Sequence, residues 1–383
     1  MVSNLRIQKI ILNNFRNHKF LRIDSKKSII LIHGKNGSGK TNILESISLL
    51  DSSSGLKNAN LVDIINNELD DPKGVFGANF NLYENEKNFN IGLGLKKTQN
   101  GLSKLIRINE KKSDFDEIKK LISIFWIVPR MGFIFQMSSE ERRNFLDFMI
   151  SSVDLLHKKR LVTYKKYKRE RIKILKNFKQ KNTNDSWLNI LEEKMVLTGL
   201  MICDSRRNFL KAINEILIDL KLGMPKLTIA LKGELDVKLT KNPSLYVEDF
   251  FLKKLKENRI KDTITGRTNF SVNKTDLLVN ESNQNKLAEN FSTGEQKIIV
   301  ITIIFSFLKY LKKTNFKRII FLLDDVFSYL DQRFTNLILD ELKGLNSQTW
   351  ITDIRTDWIE KNNELRTLVD KINIDDYRFK VAN

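Results

Sequence analysis

Residues 34 to 41 read Gly34-Lys35-Asn36-Gly37-Ser38-Gly39-Lys40-Thr41, a complete G-x-x-x-x-G-K-[ST] phosphate loop. Its flanks leave few folds open. Ile29-Ile30-Leu31-Ile32 is a short β-branched run suited to a buried parallel strand, and Asn42-Ile43-Leu44-Glu45-Ser46-Ile47 begins a helical pattern. Glycines let the backbone curl tightly and aim several N–H groups at one anion, and the helix N-terminus adds partial positive charge. Gly34, Lys35, Asn36, Gly37, Ser38, Gly39, Lys40 and Thr41 are therefore expected to hold a nucleoside triphosphate. Lys40 would reach the β- and γ-phosphates, and the Thr41 hydroxyl would bind Mg²⁺.

Far downstream, Arg318-Ile319-Ile320-Phe321-Leu322-Leu323 reads as a strand buried on both faces and ends on Asp324-Asp325. Acids at that position emerge at the carboxyl edge of a parallel sheet, where ligands bind. Asp324 is placed to hold Mg²⁺, and Asp325 to orient or deprotonate an attacking water. Lys40, Asp324 and Asp325 are thus the expected catalytic set, with Thr41 and Asp324 the metal ligands.

A chain of 383 residues with 41% hydrophobic side chains can bury a substantial core in two or three domains. It has no apolar stretch of membrane-spanning length and no apolar signal region in Met1-Val2-Ser3-Asn4-Leu5-Arg6. Its single cysteine, Cys203, allows no intramolecular disulfide. Three histidines without metal-site spacing make zinc a poor expectation. A cytoplasmic protein with no membrane partner is expected. The net charge of +20 points to a polyanion, and its distribution is uneven. From Lys158 to Lys181 there are twelve Lys/Arg and one acid, Glu170. Lys158, Lys159, Arg160, Lys165, Lys166, Lys168 and Arg169 are the candidate DNA contacts; a solvated face on a paired helix would have the same composition.

Leu5–Leu12, His18–Asp24 and Ile29–Ile32 read as strands, and Phe76–Leu82, Phe89–Leu95 and Lys104–Asn109 alternate as an antiparallel meander. Asp51–Asn67 reads as a polar loop. From Ser139 to about Leu222 helical periodicity dominates without a proline: Leu161, Tyr164, Ile172, Leu175 and Phe178 keep 3/4 spacing, with Lys168 filling the gap. Pro225 and the Gly266 region are the expected return points. The nucleotide domain is then discontinuous, 1–125 with 266–383, and 126–265 is a mainly helical insert with a basic face.

Ahead of the acidic strand stands Asn290-Phe291-Ser292-Thr293-Gly294-Glu295-Gln296-Lys297, followed by the apolar helix Ile298–Leu308. A Ser-x-Gly-x-Gln opening a helix is a second anion site, fit for a γ-phosphate carried by another copy of the chain. With Ser328-Tyr329-Leu330-Asp331 after the acids, the set resembles ABC-type ATPases of the SMC-like group, Ser292–Lys297 as signature and Ser328–Asp331 as D-loop. It resembles the RecF family more closely. Asn14-Phe15-Arg16-Asn17-His18, Glu140-Glu141-Arg142-Arg143-Asn144-Phe145-Leu146-Asp147 and Gly266-Arg267-Thr268 with Asp276-Leu277-Leu278 match that family's elements along nearly the whole chain.

The resemblance implies an α/β fold, an ABC-type ATPase head (a phosphate-loop mixed sheet plus an antiparallel β-subdomain) with an inserted helical lobe. It implies ATP and Mg²⁺ as cofactors and an ATP-dependent homodimer. The dimer would bind gapped or double-strand/single-strand junction DNA with little base specificity and act with RecO and RecR to load RecA. Ser292 and Gly294 would close on ATP from the second subunit, and Arg16 is a candidate phosphate contact. Arg142 and Arg143 read as structural or interlobe pairs rather than DNA readers. Departures from the wider ABC pattern are Asp325 where transporters carry Glu, Thr352 where others place a switch histidine, and Pro129-Arg130 in place of a Q-loop glutamine after the strand Ile122–Val128. Asn269–Thr275 also lacks a histidine expected in the family. The rival reading, a motor subunit on a protein or membrane partner, fits poorly with Thr41 and Ser292 lying 251 residues apart.

Overall fold

Apolar–polar alternation in the first hundred residues is realised as antiparallel strands in the computed structural model. It describes residues 5–51, 55–66, 75–98, 101–177, 185–220, 226–314, 318–327, 330, 332–344, 347–360 and 363–377. The first third holds β1 (Arg6–Phe15), β2 (His18–Asp24), β3 (Ile29–His33), α1 (Lys40–Ser48), α2 (Leu61–Ile64), β4 (Gly77–Glu84), β5 (Lys87–Thr98), β6 (Gly101–Ile108), β7 (Lys111–Lys112), α3 (Phe115–Leu121) and β8 (Ser123–Ile127). The middle holds α4 (Ser139–Val153), α5 (Leu155–Asn177), α6 (Asp185–Ile218), β9 (Leu227–Lys232), α7 (Glu234–Lys241), α8 (Ser244–Glu257), α9 (Arg259–Thr265), β10 (Asp276–Glu281) and β11 (Lys286–Leu287). Then come α10 (Thr293–Lys313), β12 (Ile319–Asp324), α11 (Gln332–Lys343), β13 (Gln348–Thr352) and β14 (Val369–Asn373).

The chain divides into two units, Met1–Met131 with Leu311–Asn383, and Gly132–Tyr310. In the first, strands pair in the order β14-β3-β13-β12-β8, parallel throughout. Both faces are covered, so β12 is buried along its whole length. A six-stranded antiparallel sheet runs β2-β1-β4-β5-β6-β7. Parallel and antiparallel pairing are thus segregated into separate sheets. In β4 every second residue is buried, from Ala78 through Phe80 and Leu82 to Glu84, as one covered sheet face requires. The hairpin to β5 turns on Asn85 and Glu86, both at positive φ (48° and 66°), the geometry that suits the right-handed strand twist. Buried Gln348 joins the two sheets. Its amide accepts from Ile7 N–H (2.8 Å) and Trp350 Nε1 (3.0 Å) and donates to Ile7 O (3.0 Å).

In the second unit, Tyr164, Met195, Cys203, Val247, Phe251 and Val272 form a core among α5, α6, α8 and the segment after α9. Within it lies a buried ion network. Arg171 donates to Glu192 (2.9 Å), Asp262 (2.6 Å) and Leu255 O (2.8 Å). A basic residue counted in the charged stretch is therefore core. The unit boundaries differ from the expected ones. Residues 126–131 stay with the first unit, Trp126 and Ile127 of β8 pairing with β12, and 266–310 group with the helices. The reason is local bonding: β10 pairs antiparallel with β9, and Arg206 of α6 donates to Val272 O at 2.8 Å. Arg142 forks onto Asp276 at 2.8 and 2.7 Å, the structural pair its sequence suggested. Among the described residues no helix is long and apolar enough to cross a membrane.

Candidate nucleotide site

The loop from Gly34 to Gly39 joins β3 to α1 and depends on glycine where the sequence supplies it. Gly39 caps α1 at φ 99°, and a Cβ there would stand 2.6 Å from Asn17 Oδ1 and His18 Nε2. Gly34, at φ 148°, would press a Cβ to 2.7 Å from Ile374. Helix α1 has no side-chain cap and no acid in its first turn, which suits its N-terminus to an anion. Lys40 Nζ folds back over the loop onto Gly34 O (2.8 Å) and Lys35 O (2.9 Å). Burial lowers its pKa below the usual lysine value, against the opposing pull of Asp325, Asp375, Asp353 and Asp324. Lys35 N–H donates to Asp375 at 3.0 Å. The buried Ser38 hydroxyl has no hydrogen-bond partner among the described residues.

The two expected halves of the site meet here. Thr41 Oγ1 donates to Asp324 Oδ1 at 2.8 Å across 283 residues of sequence. Thr352 Oγ1 donates to the same oxygen at 2.8 Å and accepts the Asp325 N–H at 3.1 Å. Thr352, expected only as a substitute for a switch histidine, is thus the clamp that fixes both acids. Asp325 sits at φ 49°, a left-handed conformation uncommon for a non-glycine residue, and its N–H also reaches Thr352 O at 3.1 Å. Burial raises the Asp324 carboxyl above the usual carboxylate range. The Thr41 and Thr352 donors oppose that rise and Asp325 reinforces it. Asp353, beside them, is also pushed up by burial, and its Oδ2 has no hydrogen-bond partner among the described residues. Sequence reasoning missed it; its only signal was position, one residue beyond the end of β13.

Arg16 is placed differently from its expected phosphate contact. Its guanidinium forks onto Glu45 of α1 (2.9 and 2.5 Å) and donates to Asp63 O. Asn42 Nδ2 donates to Asn17 Oδ1 at 2.7 Å, and His18 Nε2 lies 3.3 Å from Gly39 O. The β1–β2 turn is therefore a brace under the phosphate loop and α1. A hard cation fits the other side: a carboxylate and a hydroxyl oxygen converge there, and Mg²⁺ takes few protein oxygens and completes its shell from phosphate and water.

Ser292 and Gly294 open α10 in the second unit. Ser292 and Glu295 form a reciprocal capping box. The Ser292 hydroxyl and N–H both donate to Glu295 Oε2 (2.6 and 2.9 Å), and Glu295 N–H returns to Ser292 Oγ at 3.4 Å. Gln296 donates to Phe291 O at 2.8 Å. Of the expected D-loop, Ser328, Tyr329 and Asp331 lie outside the described residues, as do Phe178, Lys179, Lys181 and Pro225. Arg130 falls in a 3₁₀ segment, Pro129–Gln136. The candidate DNA residues lie on α5: Lys159, Lys165, Lys166 and Arg169 are exposed, Lys158, Arg160 and Lys168 half-buried. Arg160 reaches Ser205 Oγ at 3.1 Å, and Lys166 lies 3.8 Å from Glu170.

Residues 6–373 match the family model of the RecF/RecN/SMC N-terminal domain. Curated relatives include the DNA replication and repair protein RecF of Rickettsia rickettsii (strain Sheila Smith), 34% identical over 361 residues, 94% of this chain and 97% of the relative. The protein of the same name from Rickettsia bellii (strain OSU 85-389) is 33% identical over 353 residues, 92% and 95% of the two chains. Among solved structures, the recombination mediator protein RecF-ATPrS in the RecFOR pathway superposes with a TM-score of 0.78 at 24% identity, covering 94% of this chain and 95% of that one. The Smc head domain with an extended coiled coil bound to the C-terminal domain of ScpA, from Pyrococcus furiosus, gives 0.52 at 18%, covering 93% and 91%. These two show the fold, an ABC-type ATPase head of α/β class.

Proposed function

The chain belongs to the RecF family within the RecF/RecN/SMC N-terminal domain group, and from that premise we propose that it is an ATP-dependent DNA-binding repair protein. The observation that carries the proposal is the bonded set Thr41–Asp324–Thr352–Asp325 beside an uncapped, glycine-built phosphate loop. The loop amides and Lys40 bind the triphosphate. Thr41 and Asp324 would hold Mg²⁺, which neutralises charge on the β- and γ-phosphates when bound. Asp325, held by its backbone to Thr352, orients the attacking water. A short carboxylate and a hydroxyl in place of an imidazole suit slow turnover, so hydrolysis serves as a switch. Ser292 and Gly294 of a second copy close on the γ-phosphate, making ATP the glue of a homodimer. That dimer binds gapped or double-strand/single-strand junction DNA through backbone phosphates, with Lys158, Lys159, Arg160, Lys165, Lys166, Lys168 and Arg169 as contacts. Family membership supports RecR, RecO and RecA as downstream partners, in the cytoplasm.

The test is salt-dependent binding of the Asp325→Asn protein to a gapped duplex with ATP and with ADP. Slowed hydrolysis with Lys40 and Thr41 intact should trap the closed dimer, giving tighter DNA binding with ATP that tracks dimer formation. Equal binding with both nucleotides would refute the clamp.

A further inference from the structure

One cavity, of about 590 Å³, lies wholly within the second unit, between α5, α4 and the segment after α9. Seven Lys or Arg side chains line it against a single acid, Glu140. The arrangement follows from helix periodicity: Lys165, Lys168, Arg169 and Lys173 sit at i, i+3, i+4 and i+8 on one face of α5. Lys168 occupies a half-buried position in the row of Leu161, Tyr164, Ile172 and Leu175, where the periodicity calls for an apolar residue. Burial lowers its pKa below the usual lysine value, and Arg143 and Lys274 push it further in the same direction. Among the described residues neither Lys168 nor Lys165, Arg169 and Lys173 makes an ion pair.

The opposite wall supplies neutral donors. Thr268 and Ser271 are buried (6% and 4% exposed), and neither hydroxyl has a hydrogen-bond partner among the described residues. Buried Arg143 spends one N–H on Thr275 O at 3.1 Å and turns toward the same cavity. Unsatisfied hydroxyls and crowded like charges both cost stability, and an anion would relieve both at once. The charge excess is larger than one phosphate dianion neutralises, which favours a ligand with several phosphates in a row.

We propose that this cavity is a phosphate-binding subsite for a nucleic acid strand. Arg143, Lys168, Thr268 and Ser271 hold one phosphate group, and the exposed Lys165, Arg169 and Lys173 guide its neighbours. The proposal rests on the DNA-binding reading above and sharpens it. It replaces a diffuse basic face by a concave site that includes two uncharged side chains and Arg143, which the sequence had assigned to structure alone.

The deciding variant is Ser271→Ala, which changes no charge and breaks no side-chain hydrogen bond among the described residues. Affinity for a fluorescent gapped duplex, with a 5′-phosphate or a 5′-hydroxyl at the gap, is measured across salt for the full chain, Ser271→Ala, Lys168→Gln and a control, Lys211→Gln. Ser271→Ala should weaken binding about tenfold. Lys168→Gln should do at least as much and reduce the slope of log K against log salt by about one. Lys211→Gln should stay within about twofold. Loss confined to the phosphorylated gap identifies a terminal phosphate, and equal loss on both an internal phosphodiester. Wild-type affinity in Ser271→Ala, with Lys168→Gln and Lys211→Gln equally impaired, would mean bulk charge alone and overturn the subsite. If the wild-type chain binds no duplex, the DNA reading fails, and inorganic pyrophosphate tests the cavity alone in a Lys40→Ala chain. A rise in Tm abolished by Ser271→Ala keeps a phosphate site there; no rise removes it.

Discussion

Replacing Thr352 by valine removes one hydroxyl and keeps the side chain's shape at a position only 1% exposed. That hydroxyl donates to Asp324 Oδ1 at 2.8 Å and accepts the Asp325 N–H at 3.1 Å. The second loss is small, because Asp325 N–H keeps Thr352 O at 3.1 Å. The first is larger, since a hydrogen bond to an ionised carboxylate is worth about 1.5–3 kcal/mol. It falls on one protonation state. Burial already raises the Asp324 carboxyl, and Thr41 and Thr352 are the two donors that oppose burial. Valine therefore raises it further, and a protonated carboxyl cannot hold a cation. At tenfold per 1.4 kcal/mol, half-saturating Mg²⁺ for ATP hydrolysis should rise about tenfold to a hundredfold near the acid limb. The sign is fixed: the ionised form exists above the folded-state pKa and is lost as pH falls through it, so the limb moves to higher pH. Steady-state ATPase rates over Mg²⁺ and pH for Thr352→Val and Thr352→Ser test this, with serine restoring wild-type behaviour. An unchanged acid limb and Mg²⁺ dependence in the valine variant would refute the clamp.

Arg171→Met should destabilise the helical unit by about 3–5 kcal/mol in urea melts, because Asp262 Oδ2 loses its Arg171 partner at 2.6 Å in a fully buried setting. Adding Asp262→Asn should recover part of the loss, and a cost under about 1 kcal/mol would contradict the network. Asp147 titrates in the opposite sense to Asp324. Burial pushes it up, but the Arg206 fork (2.8 and 2.7 Å) and His157 (3.0 Å) outweigh burial and hold it below its ordinary value of 3.8. Its stabilisation is present above the unfolded pKa and lost as pH falls through the folded one. Tm should therefore drop steeply below about pH 4, and Arg206→Gln should lower Tm at pH 7 while flattening that drop.

What could be read from the sequence was what is local or periodic. The phosphate loop, the strands at Ile29 and Ile319 and the alternating meander are stated by neighbouring residues, and the structure sets each within a few residues of its expected span. Side-chain bonds across long separations are not so stated. Nothing near Arg16 says that Glu45 will take its guanidinium, and nothing near Thr352 says that two acids 27 and 28 residues earlier will share its hydroxyl. The two compact units divide elsewhere than the expected boundary for the same reason. Gly266 looks like a return point because a helix ends there, but strand pairing to β9 carries the chain on within the helical unit. Lys168 broke an apolar period and so announced itself; its surroundings, buried hydroxyls contributed from a hundred residues away, did not.

Ser292 shows how two legible signals can compete for one atom. Ser292 and Glu295 have the spacing of a capping box, and Ser-x-Gly-x-Gln has that of an anion site; the structure realises the first. A serine hydroxyl carries one proton. Here it goes to Glu295, whose carboxyl is held below its usual range by the Ser292 hydroxyl and N–H. A phosphate bound at the start of α10 must take that proton, and it must also displace an ionised carboxylate that would repel it. In the proposed homodimer, closing a second copy onto ATP through Ser292 would therefore be coupled to uncapping α10. That coupling would oppose closure until a γ-phosphate replaces Glu295 as acceptor, which is the behaviour the proposed nucleotide-dependent dimer needs.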